Sequence, residues 1–87
     1  MRKFYNTILE EQETIINIDY YEGFLELYTS RKAIFERIEK KIGIANKIDY
    51  TNGLISGGRW KIPFSDKKKL TSLLSRPLLI GNIKQDN

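Results

Sequence analysis

IDYYEGFL, residues 18–25, returns thirty positions later as IDYTNGLI, residues 48–55. Each stretch contains Ile-Asp-Tyr, two variable residues, a glycine and two apolar residues. Apolar residues on both sides of a polar turn that contains glycine are typical of a β-hairpin. We therefore predict two hairpins, related either by duplication of one unit or by convergence on the same turn chemistry.

The first hairpin is predicted from the alternation of apolar and polar side chains over residues 14–20. Residues 24–28 form its second strand, and Gly23 between them tolerates the positive φ of a tight turn. One face of the resulting sheet is expected to pack against helices. The apolar residues predicted on that face are Ile16, Ile18, Leu25, Leu27, Trp60 and Ile62.

A first helix is predicted from Ser30 onward, because apolar side chains recur at helical spacing as far as Ile42. Thr29 or Ser30 offers a hydroxyl oxygen that can cap the free N–H groups of the first turn. Gly43 stands where a glycine commonly ends a helix. The helix is therefore expected to run between these two signals.

The second hairpin is predicted from Asn52-Gly53, a pair that favours a type I′ turn. Its second strand contains Gly57-Gly58, and a glycine pair within a strand predicts a bulge or a bend. The surrounding stretch SGGRW lacks the glycine spacing of a phosphate-binding loop. We interpret it as a bulge that lets the following tryptophan pack.

A second helix is predicted after Ser65 and Asp66, whose side-chain oxygens can cap it, and it is expected to stop before Pro77. Residues 78–80 are apolar enough to add a short edge strand. Residues 81–87 are expected to form a frayed tail.

Together these elements predict one α+β domain of two layers. A four- to five-stranded antiparallel sheet carries both helices on one face, in the order ββαββα. Residues 1–13 form an N-terminal segment, residues 14–43 the first ββα unit and residues 44–80 the second. Residues 81–87 form the flexible tail of this single domain.

The chain has no cysteine and no histidine. Disulfides, thiolate metal sites and imidazole acid–base catalysis are therefore excluded. We predict a protein that is not an enzyme and needs no cofactor. The alternative is a small metal-dependent nuclease, in which Asp19 and Asp49, at equivalent places in the repeat, meet as a carboxylate pair.

The net charge of +4 is unevenly distributed. Residues 1–28 carry two basic and six acidic side chains, whereas residues 29–87 carry 13 basic and five acidic ones. This split indicates either a basic binding face or acidic strands that lie against basic helices. The basic residues expected on the helices are Arg31, Lys32, Arg37, Lys40, Lys41, Lys67, Lys68 and Lys69.

The sheet face opposite the helices is a second candidate surface. Its predicted residues are Asn17, Phe24, Glu26, Tyr28, Arg59 and Lys61. Aromatic rings beside cations are the groups that bind single-stranded nucleic acid, because bases stack on the rings and cations meet phosphates. The other interpretation is a sheet back that the N-terminal residues 4–9 partly cover.

We expect no membrane partner, because the longest apolar runs are far shorter than the roughly 20 residues that span a bilayer. The N-terminal residues MRKFYNTILEEQE contain no continuous apolar stretch and no cleavage site of small residues. The expected location is therefore the cytoplasm.

Two stretches, TIINIDYYEGFLELYTSRKAIFERIEKKIG and ISGGRWKIPFSDKK, look like small proteins of bacteriophages and other mobile elements. The compact chain without cysteine is also similar in type to phage inhibitors of bacterial defence nucleases, including anti-CRISPR proteins. That resemblance implies action by occupying a surface of a target, in the cytoplasm of the host cell. Many such inhibitors imitate nucleic acid with acidic faces, whereas this chain is net basic.

The first hypothesis is therefore a non-enzymatic binding protein that inhibits a host nucleoprotein defence complex, such as a CRISPR effector, by stoichiometric association. Its partner is a protein or a nucleoprotein. The alternative is a small basic module that binds DNA or RNA. A homodimer formed through an unpaired strand edge is a further expectation.

Overall fold

A computed structural model of the protein describes residues 3–6 and 8–74, and it contains four strands and two helices in that part of the chain. A 3₁₀ turn at Leu9–Glu11 precedes them. The elements are β1 (Thr14–Asp19), β2 (Phe24–Thr29), α1 (Lys32–Ile42), β3 (Lys47–Thr51), β4 (Leu54–Pro63) and α2 (Lys67–Leu74).

All neighbouring strands are antiparallel, and the sheet order is β1-β2-β4-β3. The predicted α+β domain with a four-stranded antiparallel sheet and two helices is confirmed. The predictions for residues 75–87 concern the helix stop before Pro77, the strand at 78–80 and the tail at 81–87. They lie outside the described residues.

Both hairpin turns contain residues with a positive φ, a backbone conformation that glycine and asparagine tolerate. Asn52 and Gly53 have φ values of 53° and 78°, and Gly23 has a φ of 77°. In the first turn, the Asp19 carboxylate accepts a hydrogen bond from the Glu22 N–H at 3.0 Å, and the Asp19 carbonyl accepts one from the Gly23 N–H at 2.8 Å. Because Asp19 organises this turn, β1 ends there, one residue before the predicted end at Tyr20.

The helix α1 begins at Lys32, two residues later than predicted, and Arg31 occupies its N-cap without a side-chain cap. The Thr29 hydroxyl instead accepts a hydrogen bond from the Arg31 N–H at 3.1 Å. The Ser30 hydroxyl is likewise used elsewhere, because it accepts the Glu13 N–H at 2.9 Å. The two predicted caps therefore tie the strand end to neighbouring backbone rather than to the first turn of the helix.

The end of α1 and the start of α2 agree with the prediction. Gly43 is the C-cap of α1, with a φ of 124°, and its N–H donates to the Glu39 carbonyl at 3.0 Å. At the start of α2, the Asp66 carboxylate accepts the Lys69 N–H at 3.2 Å. The Lys69 ammonium lies 3.7 Å from the same carboxylate, so this acid offsets part of the lysine charge at the helix start.

In the described residues, a buried cluster lies between the helices and one face of the sheet. Its members are Leu25, Leu27, Ile34, Phe35, Ile38, Ile42, Ile55, Trp60, Ile62 and Leu73. The rings of Phe35 and Trp60 meet edge to face, with centroids 5.2 Å apart. The Trp60 indole N–H donates to the Gly43 carbonyl at 2.8 Å, which fixes the end of α1 to the sheet.

The N-terminal residues join this core instead of covering the opposite sheet face. The Ile55 N–H donates to the Lys3 carbonyl, and the Tyr5 N–H donates to the Ile55 carbonyl, at 2.9 and 2.7 Å. Phe4 thereby makes an isolated parallel bridge with Ile55, and its ring lies 5.1 Å from that of Phe35. The pairing of β2 with β4 ends at Gly58. The N-terminal segment therefore pairs with a part of β4 that β2 does not reach.

The pairing of β3 with β4 is irregular at one residue. Asp49 pairs with Gly57 but Tyr50 pairs with Ile55, so Ser56 has no partner across the ladder. The predicted irregularity therefore lies beside the glycine pair. Because one extra residue reverses the alternation of a strand, Ile55 and Trp60 both reach the helix side although their numbers differ in parity.

Each glycine of the pair gives room to a ring on a different face of the sheet. A β-carbon at Gly58 would lie 2.5 Å from the Phe35 ring and 3.0 Å from the Trp60 ring. A β-carbon at Gly57 would lie 2.9 Å from the Tyr28 ring on the other face. Phe35 and Trp60 are buried, whereas Tyr28 is partly exposed.

Gly58→Ala is expected to lower the free energy of unfolding by about 1–3 kcal/mol, because overpacking a filled core forces its side chains out of their rotamers. Gly57→Ala is the matched control, and it is expected to cost less because the Tyr28 ring can swing toward solvent. Urea denaturation of both variants checks this. An equal or larger loss in Gly57→Ala would contradict it.

Candidate functional site

The apolar side of β1 is more exposed than its sequence predicts. Ile16 pairs with Leu27 and Ile18 with Leu25, which places both isoleucines on the helix side of the sheet, as predicted. Their expected burial is nevertheless wrong, because they are 40% and 45% exposed. The reason is that α1 packs on the two central strands, β2 and β4, so the buried core ends before it reaches β1.

The exposed large apolar side chains concentrate around this strand. Of the ten found in the described part of the chain, seven lie within residues 8–21. They are Ile8, Leu9, Ile15, Ile16, Ile18, Tyr20 and Tyr21. Scattered apolar residues on a surface are ordinary, but Ile16 and Ile18 are exposed side by side on one face of one strand, and such grouping marks an interaction site.

The pattern of hydrogen bonds between the strands shows which backbone groups of β1 point away from β2. The Ser30 N–H donates to the Glu13 carbonyl at 2.9 Å, and the Phe64 N–H donates to the Gly23 carbonyl at 2.9 Å. Alternate residues of an antiparallel strand bond to opposite sides. The even-numbered residues of β2 therefore bond to β1 and the odd-numbered ones to β4.

It follows that Thr14, Ile16 and Ile18 of β1 direct their N–H and C=O groups away from β2. In the sheet of the described residues, β1 is an edge strand, so no further strand pairs with these groups. We call this surface, formed by the outward backbone of Thr14, Ile16 and Ile18 and the two isoleucine side chains, the β1 edge.

The opposite edge of the sheet, formed by β3, has different chemistry. It carries Lys47 and Asp49, and the register of its pairing with β4 shifts beside Asp49. Charged residues and irregular pairing are the means by which proteins protect a sheet edge from adding strands. From Thr14 to Ile18 the β1 edge has neither feature.

The sheet face opposite the helices holds the six residues that the sequence predicts there. Tyr28 pairs with Arg59 and Glu26 with Lys61 across β2 and β4. Asn17 and Phe24 share the same face through the pairs Asn17–Glu26 and Asp19–Phe24.

The rings of this open face already bind cations of the same chain. The Arg59 guanidinium carbon lies 4.6 Å from the centre of the Tyr28 ring, and the Lys61 ammonium lies 4.2 Å from that of Phe24. The Arg59 Nε atom also lies 3.9 Å from the Asp49 carboxylate. These contacts reduce the number of free ring faces and free cations available to a nucleic acid.

A shallow pocket of about 220 Å³ lies on the open face, at the side nearest β1. It is lined by Glu13, Ile15, Asn17, Glu26, Tyr28 and Arg59. Two carboxylates beside one guanidinium give this pocket a mixed charge that does not favour phosphate.

The basic residues predicted on the helices are almost all exposed. Seven of them are at the surface: Arg31, Lys32, Lys40, Lys41, Lys67, Lys68 and Lys69. Arg37 is half-buried, and its Nη1 atom is buried without a hydrogen-bond partner in the part of the chain that the structure describes. The helical layer is therefore the surface on which most of the positive charge of the described residues lies.

A groove of about 570 Å³ beside the N-terminal residues was not predicted. Lys3 and Lys32 contribute to its lining, together with Asn6 and Ser30. The groove exists because Phe4 reaches the core next to α1, a contact that no local pattern of the first residues signals.

Asp19 and Asp49 do not come together. They lie on β1 and β3, the two edges of the sheet, with β2 and β4 between them. At the usual spacing of strands this separates the edge strands by about 14 Å, too far for two carboxylates to share an ion. Within residues 3–6 and 8–74 no group of three or more His, Cys, Asp or Glu side chains is arranged to hold a metal.

Comparison with protein-family models, with curated protein sequences and with solved structures found no match for this chain. Neither helix of the described residues has the length and apolar character that crossing a bilayer requires.

The contact between Tyr28 and Arg59 is expected to contribute about 0.5–1 kcal/mol to stability, the range for a cation over an exposed ring. A double-mutant cycle with Tyr28→Leu and Arg59→Met, followed by urea denaturation, measures this coupling directly. A coupling energy indistinguishable from zero would show that the ring and the cation are independent in solution.

Proposed function

We propose that this protein acts by stoichiometric binding to another protein, without catalysing a reaction, and that the β1 edge is its docking surface. One observation carries the proposal: Ile16 and Ile18 are exposed on a strand whose outward backbone groups meet no other strand of the described residues. Apolar side chains beside free backbone donors and acceptors attract extended segments of other chains.

The narrower proposal is an inhibitor of phage or mobile-element origin that acts on a host nucleoprotein defence complex, such as a CRISPR effector, in the host cytoplasm. It is supported by the resemblance of the sequence to such small phage proteins. A cleavage assay with a purified effector tests it: activity should disappear at a molar ratio near one inhibitor per complex. Full cleavage in excess inhibitor would reject that effector as the target.

We also propose that the two ββα units descend from one duplicated unit, with both helices on the same sheet face. The strand order supports this, since β2 and β4 form the central pair and β1 and β3 the two edges. An approximate two-fold axis between β2 and β4 would relate the units by exchanging β1 with β3 and β2 with β4.

Site-specific photocrosslinking tests docking at the β1 edge. A photoreactive amino acid at Ile18 is expected to give a discrete crosslinked product in an extract that contains the partner. The same group at Ile44, which is 75% exposed and precedes β3, is the matched control and should give none. Products of equal yield from both positions, or none from Ile18, would contradict the proposal.

The second candidate function is nucleic-acid binding by the helical layer, and the exposure of its lysines favours it. Phosphate contacts dominate non-specific affinity, so the affinity for DNA or RNA should fall steeply between about 50 and about 200 mM salt. Replacing Lys67, Lys68 and Lys69 together by alanine should weaken binding and flatten that salt dependence.

Fluorescence anisotropy with labelled single- and double-stranded DNA and RNA measures both effects. The control is a variant of the open face, Phe24→Ala with Tyr28→Ala, which should retain the affinity of the parent. Loss of binding in the control variant but not in the lysine variant would move the nucleic-acid site to the open face.

A further inference from the structure

The β1 edge also indicates the chemistry of its partner. We propose, on the basis of the function proposed above, that the β1 edge accepts an extended peptide segment with an apolar centre and Lys or Arg at its ends. The segment pairs with β1 as an additional strand of the sheet. This inference rests on the backbone, the side chains and the charges of the strand.

The backbone supplies the pairing groups. Thr14, Ile16 and Ile18 alternate along the strand with residues that bond to β2, so their outward N–H and C=O groups have the spacing of one side of an antiparallel or parallel ladder. Main-chain hydrogen bonds of this kind provide affinity for an added strand without requiring a particular sequence.

The side chains supply the apolar contact. Ile16 and Ile18 stand beside the buried Leu27 and Leu25 on the helix side of the sheet. A strand added next to them with apolar residues on that side would continue the same core. The area now exposed on both isoleucines would then be removed from water, which favours binding.

The acidic residues on either side of β1 favour basic residues at the two ends of the bound segment. From Thr14 to Ile18 the strand has no charged residue, but acidic residues lie on both sides of this uncharged stretch. They are Glu10, Glu11 and Glu13 before it and Asp19 and Glu22 after it. Except for Asp19, which is partly buried, these side chains are exposed. A strand paired along β1 therefore has an acidic neighbour at each end, and basic residues there are attracted.

The same charges argue against a second copy of this chain as the occupant. An antiparallel pairing of β1 with β1 about a two-fold axis brings the acidic residues before one strand close to those after the other. Like charges placed opposite each other destabilise a strand pair. The expectation of a homodimer through a strand edge is therefore replaced here by a basic partner segment, and a second copy becomes an outcome of the test.

Three synthetic peptides of about ten residues, long enough to pair with the whole of β1 and extend beyond both of its ends, test the proposal. The first has a centre of alternating Val and Thr with a Lys pair at each end. The second has the same centre with a Glu pair at each end. The third is the Lys peptide with alternate backbone nitrogens methylated, which removes donors but keeps charge and side chains.

The Lys peptide is expected to bind at least about tenfold more tightly than the Glu peptide in about 50 mM salt, with a smaller ratio in about 200 mM salt. Methylation of the backbone should abolish binding. Equal affinity of the Lys and Glu peptides, unchanged affinity after methylation, or no binding of the Lys peptide would each overturn the proposal.

Variants of the protein locate the site. Ile16→Lys places a charge on the inner side of the edge and should abolish binding of the Lys peptide, whereas Ile44→Lys should not. Glu11→Lys with Glu13→Lys changes only exposed side chains, so it preserves the fold and should bring the affinities of the two peptides close together. An unchanged Lys-to-Glu preference in this double variant would overturn the proposal even if Ile16→Lys does not fold.

Sedimentation velocity of the free protein completes the experiment. A monomer at all concentrations is expected. A dimer that Ile16→Lys abolishes would make a second copy the occupant and overturn the basic-segment proposal. The two proposals fail differently. If Ile18 gives a crosslink but the protein shows no preference for the Lys peptide, protein docking at the β1 edge stands and only the basic-segment proposal fails. If Ile18 gives no crosslink, the proposal of the β1 edge as a docking surface fails.

Discussion

The contact of Phe35 and Trp60 above Gly58 is the constraint on which the arrangement of the two layers depends. The missing side chain at Gly58 lets the ring of α1 approach the backbone of β4, and the Trp60 indole then reaches the end of α1. Phe4 meets the same ring from the N-terminal segment. One small residue in a central strand therefore positions the first helix, the sheet and the start of the chain.

The elements with strong local signals were predictable from the sequence. The Asn52-Gly53 turn, the Gly43 cap and the Asp66 cap follow from the conformations and hydrogen bonds that these residues favour. The face shared by Tyr28 and Arg59 also followed from simple alternation. These features depend on residues near one another in the chain, and local pattern is sufficient for them.

Other features depend on contacts between distant segments, which the sequence does not signal. The alternation of Ile16 and Ile18 correctly predicts their face, but their exposure depends on how far α1 extends across the sheet. The rings and cations of the open face were each predicted, yet their mutual contacts depend on the register of β2 and β4. The candidate docking surface exists because the helices do not cover β1. No single segment of the sequence shows how far the helices extend across the sheet.

The extra residue at Ser56 has a consequence for how the second hairpin can change length. Removing it would restore an unbroken ladder, and Ile55 would then lie four positions before Trp60, so both side chains would stay on the helix side. A single insertion or deletion elsewhere in β4 would instead move the residues beyond it to the opposite face of the sheet. Ser56 is therefore a position at which β4 can lose one residue while its other side chains keep their faces, a tolerance that the regularly paired residues of the strand do not share.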